Sequence, residues 1–301
     1  MFDIIGKRFW YFLISGVIIL AGIVSLIVYG LDPGIEFKSG SEVTIEFDKT
    51  VDKQQVTQAL TELGYGSAVV RKAGNDFLLS LPELDDAGKA ALRDGLVARV
   101  GEFRDGGFQK VSAKAASDMT RNTIVAVIIS SLGMLLYISW AFHRMPNPFR
   151  WGVCAIIAMV HDLLVVLGLF ALFGGLFGWQ VDLMFIAAVL TVIGYSVNDT
   201  IVVFDRIREN VRNYGDADFA GVVNGSLVET MSRTLITGLG TLFVLIALML
   251  VVRAPIQNMV TVLLVGIITG TYSSIGTAAS LLVVWKNGEW GRFLGRKPVS
   301  A

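Results

Sequence analysis

Apolar residues run along this chain in long uninterrupted stretches, and polar ones gather into one block with a few isolated points elsewhere. A bilayer-spanning helix needs about 20 mostly apolar residues, and six stretches supply that length: 9–29, 122–142, 151–173, 181–204, 234–252 and 256–285. The first carries no charge between Arg8 and Asp32. It is too long for the apolar core of a signal peptide and no small-residue cleavage site follows it, which predicts an uncleaved anchor. Six spans put both termini on one side of the membrane.

Between the first two spans the period changes. Val43, Ile45 and Phe47 alternate with polar residues, the mark of a strand with one buried face. Thr50 is placed to cap a helix carrying Val56, Leu60 and Leu63, which Gly64 ends. Strands at 68–71 and 77–81 flank a turn at Gly74 and Asn75. A helix over 85–100 aligns Leu92, Leu96 and Val97, and a last strand falls at 108–113. The order β-α-β-β-α-β predicts a ferredoxin-like domain. The chain therefore divides into an N-terminus and first span (1–30), this domain (31–120), the remaining five spans (121–285, with a polar stretch at 205–233), and a tail (286–301).

Composition sharpens the division. The 301 residues are 54% hydrophobic and 17% charged with zero net charge, and mean hydropathy is +0.65, far more apolar than soluble chains, which are about 25% charged. The zero hides a segregation: residues 32–121 hold 12 basic and 15 acidic side chains, leaving 13 and 10 for the rest. No basic excess points to nucleic acid. One cysteine, Cys154, excludes a disulfide framework or a cysteine metal cluster and reads as a small buried hydrophobe. No phosphate-binding glycine loop of the Gly-x-x-x-x-Gly-Lys-Ser/Thr type occurs, and no metal or cofactor is expected.

Basic residues near span ends are retained in the cytoplasm. With the N-terminus inside, Lys7, Arg8, Arg144, Arg150, Arg206, Arg208, Arg212, Arg233, Lys286, Arg292, Arg296 and Lys297 all fall on the inner side, against Arg253 alone in the short outer loops. The domain at 31–120 is then external, since long loops translocate regardless of their own charge.

Ionisable groups inside a bilayer cost about 2.5–3.5 kcal/mol each and mark functional sites. His161, Asp162 and Asp199 are such groups. Asp199 sits in a polar interruption, 194–200, with Tyr195 and Thr191 one and two turns before it, a stripe able to bond a carboxylate or guide a proton. A structural alternative is a carboxylate satisfied by a neighbouring helix. Arg233, opening the fifth span, is its natural partner, and it reads otherwise as a topology determinant. Thr237, Gly238, Gly240 and Thr241 continue that face, and Gly266, Gly270, Ser273, Ser274 and Thr277 form a second small-residue face suited to close helix packing. Asp205, Arg206, Arg208 and Glu209 read as a solvated cap with internal ion pairs. Asp162 and Asp199 together are also the minimum for an intramembrane aspartyl protease, although neither lies in a Gly-x-Gly-Asp motif.

The segment 193–210, reading Ile-Gly-Tyr-Ser-Val-Asn-Asp-Thr-Ile-Val-Val-Phe-Asp-Arg-Ile-Arg-Glu-Asn, resembles the signature of the SecF family of bacterial protein-export subunits. Ser232-Arg233-Thr234, His161-Asp162 and the stretch Gly34-Ile35-Glu36-Phe37-x-Ser39-Gly40 also resemble family motifs, with Glu36 and Ser39 standing where the family usually has Asp and Gly. The resemblance implies a six-helix membrane bundle, half of a resistance-nodulation-division transporter, completed by SecD and carrying a ferredoxin-like external domain. It implies work beside the SecYEG channel, drawing preproteins outward with the proton-motive force after SecA-driven translocation, near YajC and YidC in the bacterial inner membrane. It implies a proton pathway through Asp199 and Arg233, with Asn198, Tyr195 and Thr200 alongside and His161, Asp162 and Thr237 in support. No enzymatic activity is implied. A scaffold or chaperone for emerging chains, independent of the proton gradient, is the rival reading.

Overall fold

The structure is a computed structural model that describes residues 2–73, 76–141, 143, 147–215, 217–252 and 254–290. The turn expected at Gly74 and Asn75, the basic residues Arg144, Arg253, Arg292, Arg296 and Lys297, and most of the tail lie outside them.

Six helices among the described residues are long and apolar enough to cross a membrane. They are α1 (Arg8–Tyr29), α5 (Ala113–Ala141), α6 (Pro148–Phe177), α7 (Leu183–Tyr214), α8 (Phe219–Val251) and a broken sixth made of α9 (Ala254–Ser273), a π-helical turn (Ser274–Ala279) and α10 (Ser280–Asn287). Between α1 and α5 lie a short helix α2 (Ile35–Lys38), β1 (Gly40–Phe47), α3 (Lys53–Glu62), β2 (Val69–Ala73), β3 (Asp76–Leu81), α4 (Asp86–Arg99) and β4 (Phe103–Val111).

The sheet is antiparallel in the order β2-β3-β1-β4, as the ferredoxin-like arrangement requires. Val43, Ile45 and Phe47 face Val56, Leu60, Phe77, Leu79, Leu92, Leu96 and Phe103 in one core. Two local expectations need correction. Asp52 caps α3, in a reciprocal box with Gln55, rather than Thr50. Its carboxylate lies one residue before the helix and can accept from the N3 amide, a reach Thr50 lacks. β4 starts five residues before the expected 108. Gly106 and Gly107 look like strand breakers, yet the register shifts between Thr44 and Ile45 so that a bulge absorbs Gly106. A Cβ there would stand 2.9 Å from Thr44 Cγ2.

In the bundle, 44% of the spans of α6, α7 and α9–α10 is buried, against 11, 6 and 17% for α1, α5 and α8. The first three therefore form its centre. At the ends of these helices away from the sheet domain, Trp151, Cys154, Val197, Phe204, Ile207 and Val283 gather with Val223 and Leu227 of α8 in one core. Small residues set the closest approaches: a Cβ on Gly168 of α6 would collide with the backbone of Gly22 in α1, and one on Gly266 of α9 with Val192 of α7.

The spans are longer than hydropathy alone outlines. α7 continues ten residues past 204 and α8 begins fifteen before 234, so the polar stretch is mostly a helical hairpin outside the apolar layer. It is held by polar pairs: Arg206 Nε donates to Glu229 at 2.6 Å, and Asn210 Nδ2 to Ser226 Oγ at 2.9 Å. Arg206–Glu209 and Arg208–Asp205 form the internal pairs expected of a solvated cap. Nearby, Arg8 pairs with Glu289, both about nine-tenths buried, and so ties the start of α1 to the residues just after α10.

The sheet domain meets the bundle through a polar joint. Gly34 N donates to Val181 O at 2.7 Å, and Val181 N to Asp32 O at 2.8 Å. Ser80 Oγ donates to Gln180 Oε1 (2.8 Å), and Gln180 Nε2 to Asp32 Oδ2 (2.7 Å). Arg71 on β2 pairs with Glu42 on β1 at 2.5 Å.

Candidate functional site

The three central helices meet along a seam of small and hydroxyl residues that holds every ionisable group expected in the spans. Asp162 is 1% exposed, His161 5% and Asp199 7%. Burial this deep requires partners, and the two carboxylates differ in how they find them.

Asp162, on α6, is saturated. Ser196 Oγ of α7 donates to its Oδ2 at 2.5 Å and Ser273 Oγ of α9 to the same oxygen at 2.7 Å. Its Oδ1 lies 2.9 Å from His161 Nδ1. The approach of α9 depends on Gly270, whose Cβ, if present, would sit 3.3 Å from Ser196 Cβ and 3.7 Å from Asp162 Oδ2. Ser273 and Ser274 stand where α9 passes into the π turn, a deformation that recurs at functional sites.

Asp199, on α7, is not saturated. The hydroxyls of Thr234 and Ser274 lie against its carboxyl group, yet its Oδ2 and Thr234 Oγ1 have no hydrogen-bond partner. Ser274 Oγ is instead 2.9 Å from Thr200 Oγ1 and donates to Gly270 O. Among the described residues, Thr277 Oγ1 and Ser280 Oγ of the sixth span are also buried and unpaired. The inner half of the seam thus holds polar atoms without mutual partners, an environment suited to bridging water.

The other expected residues separate. The Tyr195 hydroxyl lies among Thr237, Thr241 and Thr271, joining α7 to α8 and α9. Thr191 does not extend that stripe: it is exposed and donates to Ala187 O in its own helix. Thr200 is buried, whereas Asn198, Arg233 and Thr237 are exposed on the outer face of α7 and α8. Arg233 makes no ion pair with Asp199; its neighbour Thr234 is the α8 residue that reaches the carboxylate. Sequence reasoning missed Ser196, Ser15 and Tyr272 as members of the seam. Ser15 was no clear signal, since the apolar first span also holds Ser25, whose hydroxyl is spent on Ala21 O of its own helix.

A six-span bundle with carboxylates on its central helices and a ferredoxin-like domain between its first two spans defines a multi-pass membrane protein built as half of a resistance-nodulation-division-type transporter. Residues 95–288 match the family described as protein export membrane protein SecD/SecF, C-terminal, and residues 24–51 match the SecD/SecF GG motif. The chain is 41% identical to the protein translocase subunit SecF of Thermobaculum terrenum, covering 98% of both chains, and 41% identical to that of Anaerolinea thermophila, covering all of both. It is 32% identical to the protein translocase subunit SecDF of Bacillus subtilis, with 95% of this chain matching 38% of that one. The crystal structure of SecDF from Thermus thermophilus, described as a translocon-associated membrane protein, superposes with a TM-score of 0.85 at 30% identity over 95% of this chain. This chain spans 39% of the length of that SecDF. The chain belongs to the SecF family and is a protein translocase subunit of protein export.

Proposed function

We propose that this subunit couples proton movement to protein export, working with a SecD subunit that supplies the other half of the transporter. The observation that carries the reading is Asp199: a carboxylate in a central span with a buried, unpaired oxygen, beside a helix whose cation, Arg233, stands one residue from the threonine that reaches it. An ionised carboxylate in a bilayer is costly, and a guanidinium beside it offsets the cost. Movement of Arg233 toward and away from Asp199 is therefore linked to loss and gain of a proton. A proton crossing the membrane potential supplies about 2.3 kcal/mol per 100 mV, against about 5.5 kcal/mol for full reversal of a two-state equilibrium, so one proton biases a balanced switch. Asn198, Tyr195 and Thr200 line this pathway, with Thr237 in support.

Fusion of the two halves in the SecDF relatives supports the partnership with SecD. The exposed face bearing Asn198, Arg233 and Thr237 is the face that a second half would cover, bringing a further carboxylate or water to Arg233. The orientation is N- and C-termini cytoplasmic in the bacterial inner membrane, with the sheet domain (31–120) external. There it handles preproteins emerging from SecYEG after SecA has driven them, with YajC and YidC as neighbours. The protein acts as a transport subunit and not as an enzyme. The protease alternative is disfavoured because both oxygens of Asp162 are engaged, leaving none to share a catalytic water with Asp199. Asp199→Asn should abolish proton-dependent stimulation of export in membrane vesicles while SecD still co-purifies. Normal stimulation by that variant would overturn the reading in favour of a gradient-independent scaffold.

A further inference from the structure

One buried polar chain lies on the far side of Asp162 from Asp199. Tyr272 of α9 donates its hydroxyl hydrogen to the backbone carbonyl of Tyr11 in α1 at 2.8 Å. Ser15 Oγ lies 3.2 Å from that Tyr272 oxygen, and His161 Nε2 lies 3.0 Å from Ser15 Oγ. Ser15 is 5% exposed and lies between Arg8 and Gly22, the other buried positions of α1. Gly276 in the π turn leaves room for both rings: a Cβ there would be 3.3 Å from an atom of each of Tyr11 and Tyr272.

Counting hydrogens fixes the direction of this chain. A carbonyl only accepts, so the Tyr272 hydrogen is committed to Tyr11 and Ser15 must donate to Tyr272. Ser15 then accepts from His161, and Nε2 carries a hydrogen. The 2.9 Å contact between His161 Nδ1 and Asp162 Oδ1 needs another, because two lone pairs facing at that distance repel. Imidazole and carboxyl together thus hold two protons and form a unit of zero charge, whether the shared proton sits on nitrogen or on oxygen. Zero is the inexpensive charge inside a bilayer.

We propose that the His161–Asp162 pair is a second proton-holding site of the bundle, and that its proton controls a latch between α1 and α9. When the pair gives up one proton, the remaining hydrogen sits on Nδ1 and is donated to the Asp162 carboxylate, and Nε2 becomes bare. Ser15 then turns its hydrogen to Nε2, Tyr272 turns its own to Ser15, and the Tyr11 carbonyl loses its partner. One proton leaves, two hydrogen bonds reverse and the one joining α9 to the α1 backbone breaks. The ionisable groups facing the pair are Asp199 of α7, Tyr272 of α9, whose ring lies 6.1 Å from the imidazole, and Tyr11 of α1. Lys114, Asp118 and Arg121 occupy the first turns of α5, Arg8 the start of α1, and Lys286 the last turn of α10, at the ends of the helices packed around α6. Ser196 joins the unit to α7, which carries Asp199, and Ser273 joins it to the sixth span, whose Ser274 lies against Asp199. The use of the latch in export rests on the proton-coupled reading above, but its protonation is measurable without export.

The chain has two histidines, so the full chain labelled with nitrogen-15 histidine in lipid nanodiscs, carrying His143→Gln, reports His161 alone by NMR. The Nε2–H signal is expected while the pair holds both protons, with Nδ1–H beside it when the shared proton rests on nitrogen. Raising the pH should remove the Nε2–H signal and leave Nδ1–H. Tyr272→Phe frees Ser15 to donate to Nε2, so at a pH where the parent shows Nε2–H this variant should lack it and show Nδ1–H. Asp199→Asn should still lose the Nε2–H signal as the pH is raised, which separates this inference from the role of Asp199. An Nε2–H signal unchanged across the titration, or a Tyr272→Phe spectrum identical to the parent, would overturn the proposal.

Discussion

The polar joint beneath the sheet domain and the polar seam inside the bundle solve one problem in two solvents. At the joint, Lys38 meets Asp32 in an ion pair open to solvent, and Arg71 meets Glu42 in a more enclosed one. In the seam, carboxylates are met by neutral hydroxyls and one imidazole. Solvent can replace a lost partner of the exposed Lys38–Asp32 pair, whereas Asp162 is 1% exposed and depends on the groups packed against it. The joint is therefore suited to holding a domain, and the seam to responding when a single proton changes.

That contrast is open to direct attack. Asp162→Ala should be the most damaging single change, because it leaves the His161, Ser196 and Ser273 groups without their shared acceptor. A loss of about 3–5 kcal/mol is expected for breaking a buried ionic unit from one side, whereas Lys38→Ala, which breaks the exposed pair with Asp32 at the joint, should cost at most about 1 kcal/mol. Unfolding both variants from the same detergent or nanodisc would rank them; equal losses would remove the distinction between the two regions.

A smaller effect of opposite sign is expected at Ser39. It follows α2 with φ +67° and ψ 160°, a conformation that glycine adopts freely and other residues only with strain. Ser39→Gly should stabilise the sheet domain by about 1 kcal/mol, read as a raised unfolding midpoint. No gain would mean that the surroundings relieve the serine. The same geometry gives a reason for the glycine expected at this place from the family resemblance.

The mildest test is pH. Burial raises Glu36 above the usual carboxylate range, with the nearby charges of Asp182 and Glu42 adding to it. Burial likewise raises Glu42 and Asp182, against the pull of Arg71. Such groups bind protons more tightly folded than unfolded, so their stabilising contribution is complete below the ordinary carboxylate values and is lost as pH rises through the raised ones. Asp32 runs the other way: burial alone would raise it, but hydrogen bonds from Lys38 and Gln180 hold it low, and its contribution is lost as pH falls. With three groups against one, the joint should tighten on mild acidification from neutrality. Amide hydrogen exchange at Gly34 and Val181, corrected for the intrinsic rate, would then slow; faster corrected exchange would give Asp32 the upper hand.

Much of this was legible before any coordinates. Alternating Val43, Ile45 and Phe47 gave the central strand its buried face, and gaps between charges outlined six helices, because period and apolar length are properties of local sequence. Less legible were the ends. Helices α7 and α8 run on past the apolar layer because partners such as Glu229 and Ser226 wait on the neighbouring helix, and β4 survives two glycines because Thr44 opposite them permits a bulge.

The amino-acid order alone therefore determined a six-span chain, a ferredoxin-like insertion and the three ionisable residues in the spans. Only the tertiary structure decided that Asp162 is the satisfied carboxylate and Asp199 the unsatisfied one, with Arg233 one residue away from the threonine that touches it. The physical reason is that serine, threonine and tyrosine hydroxyls rotate to whichever acceptor lies nearest, their own helix included. Ser196, Ser273, Ser15 and Tyr272 acquire their roles only when glycines at positions 168, 266, 270 and 276 let four helix segments close on one another.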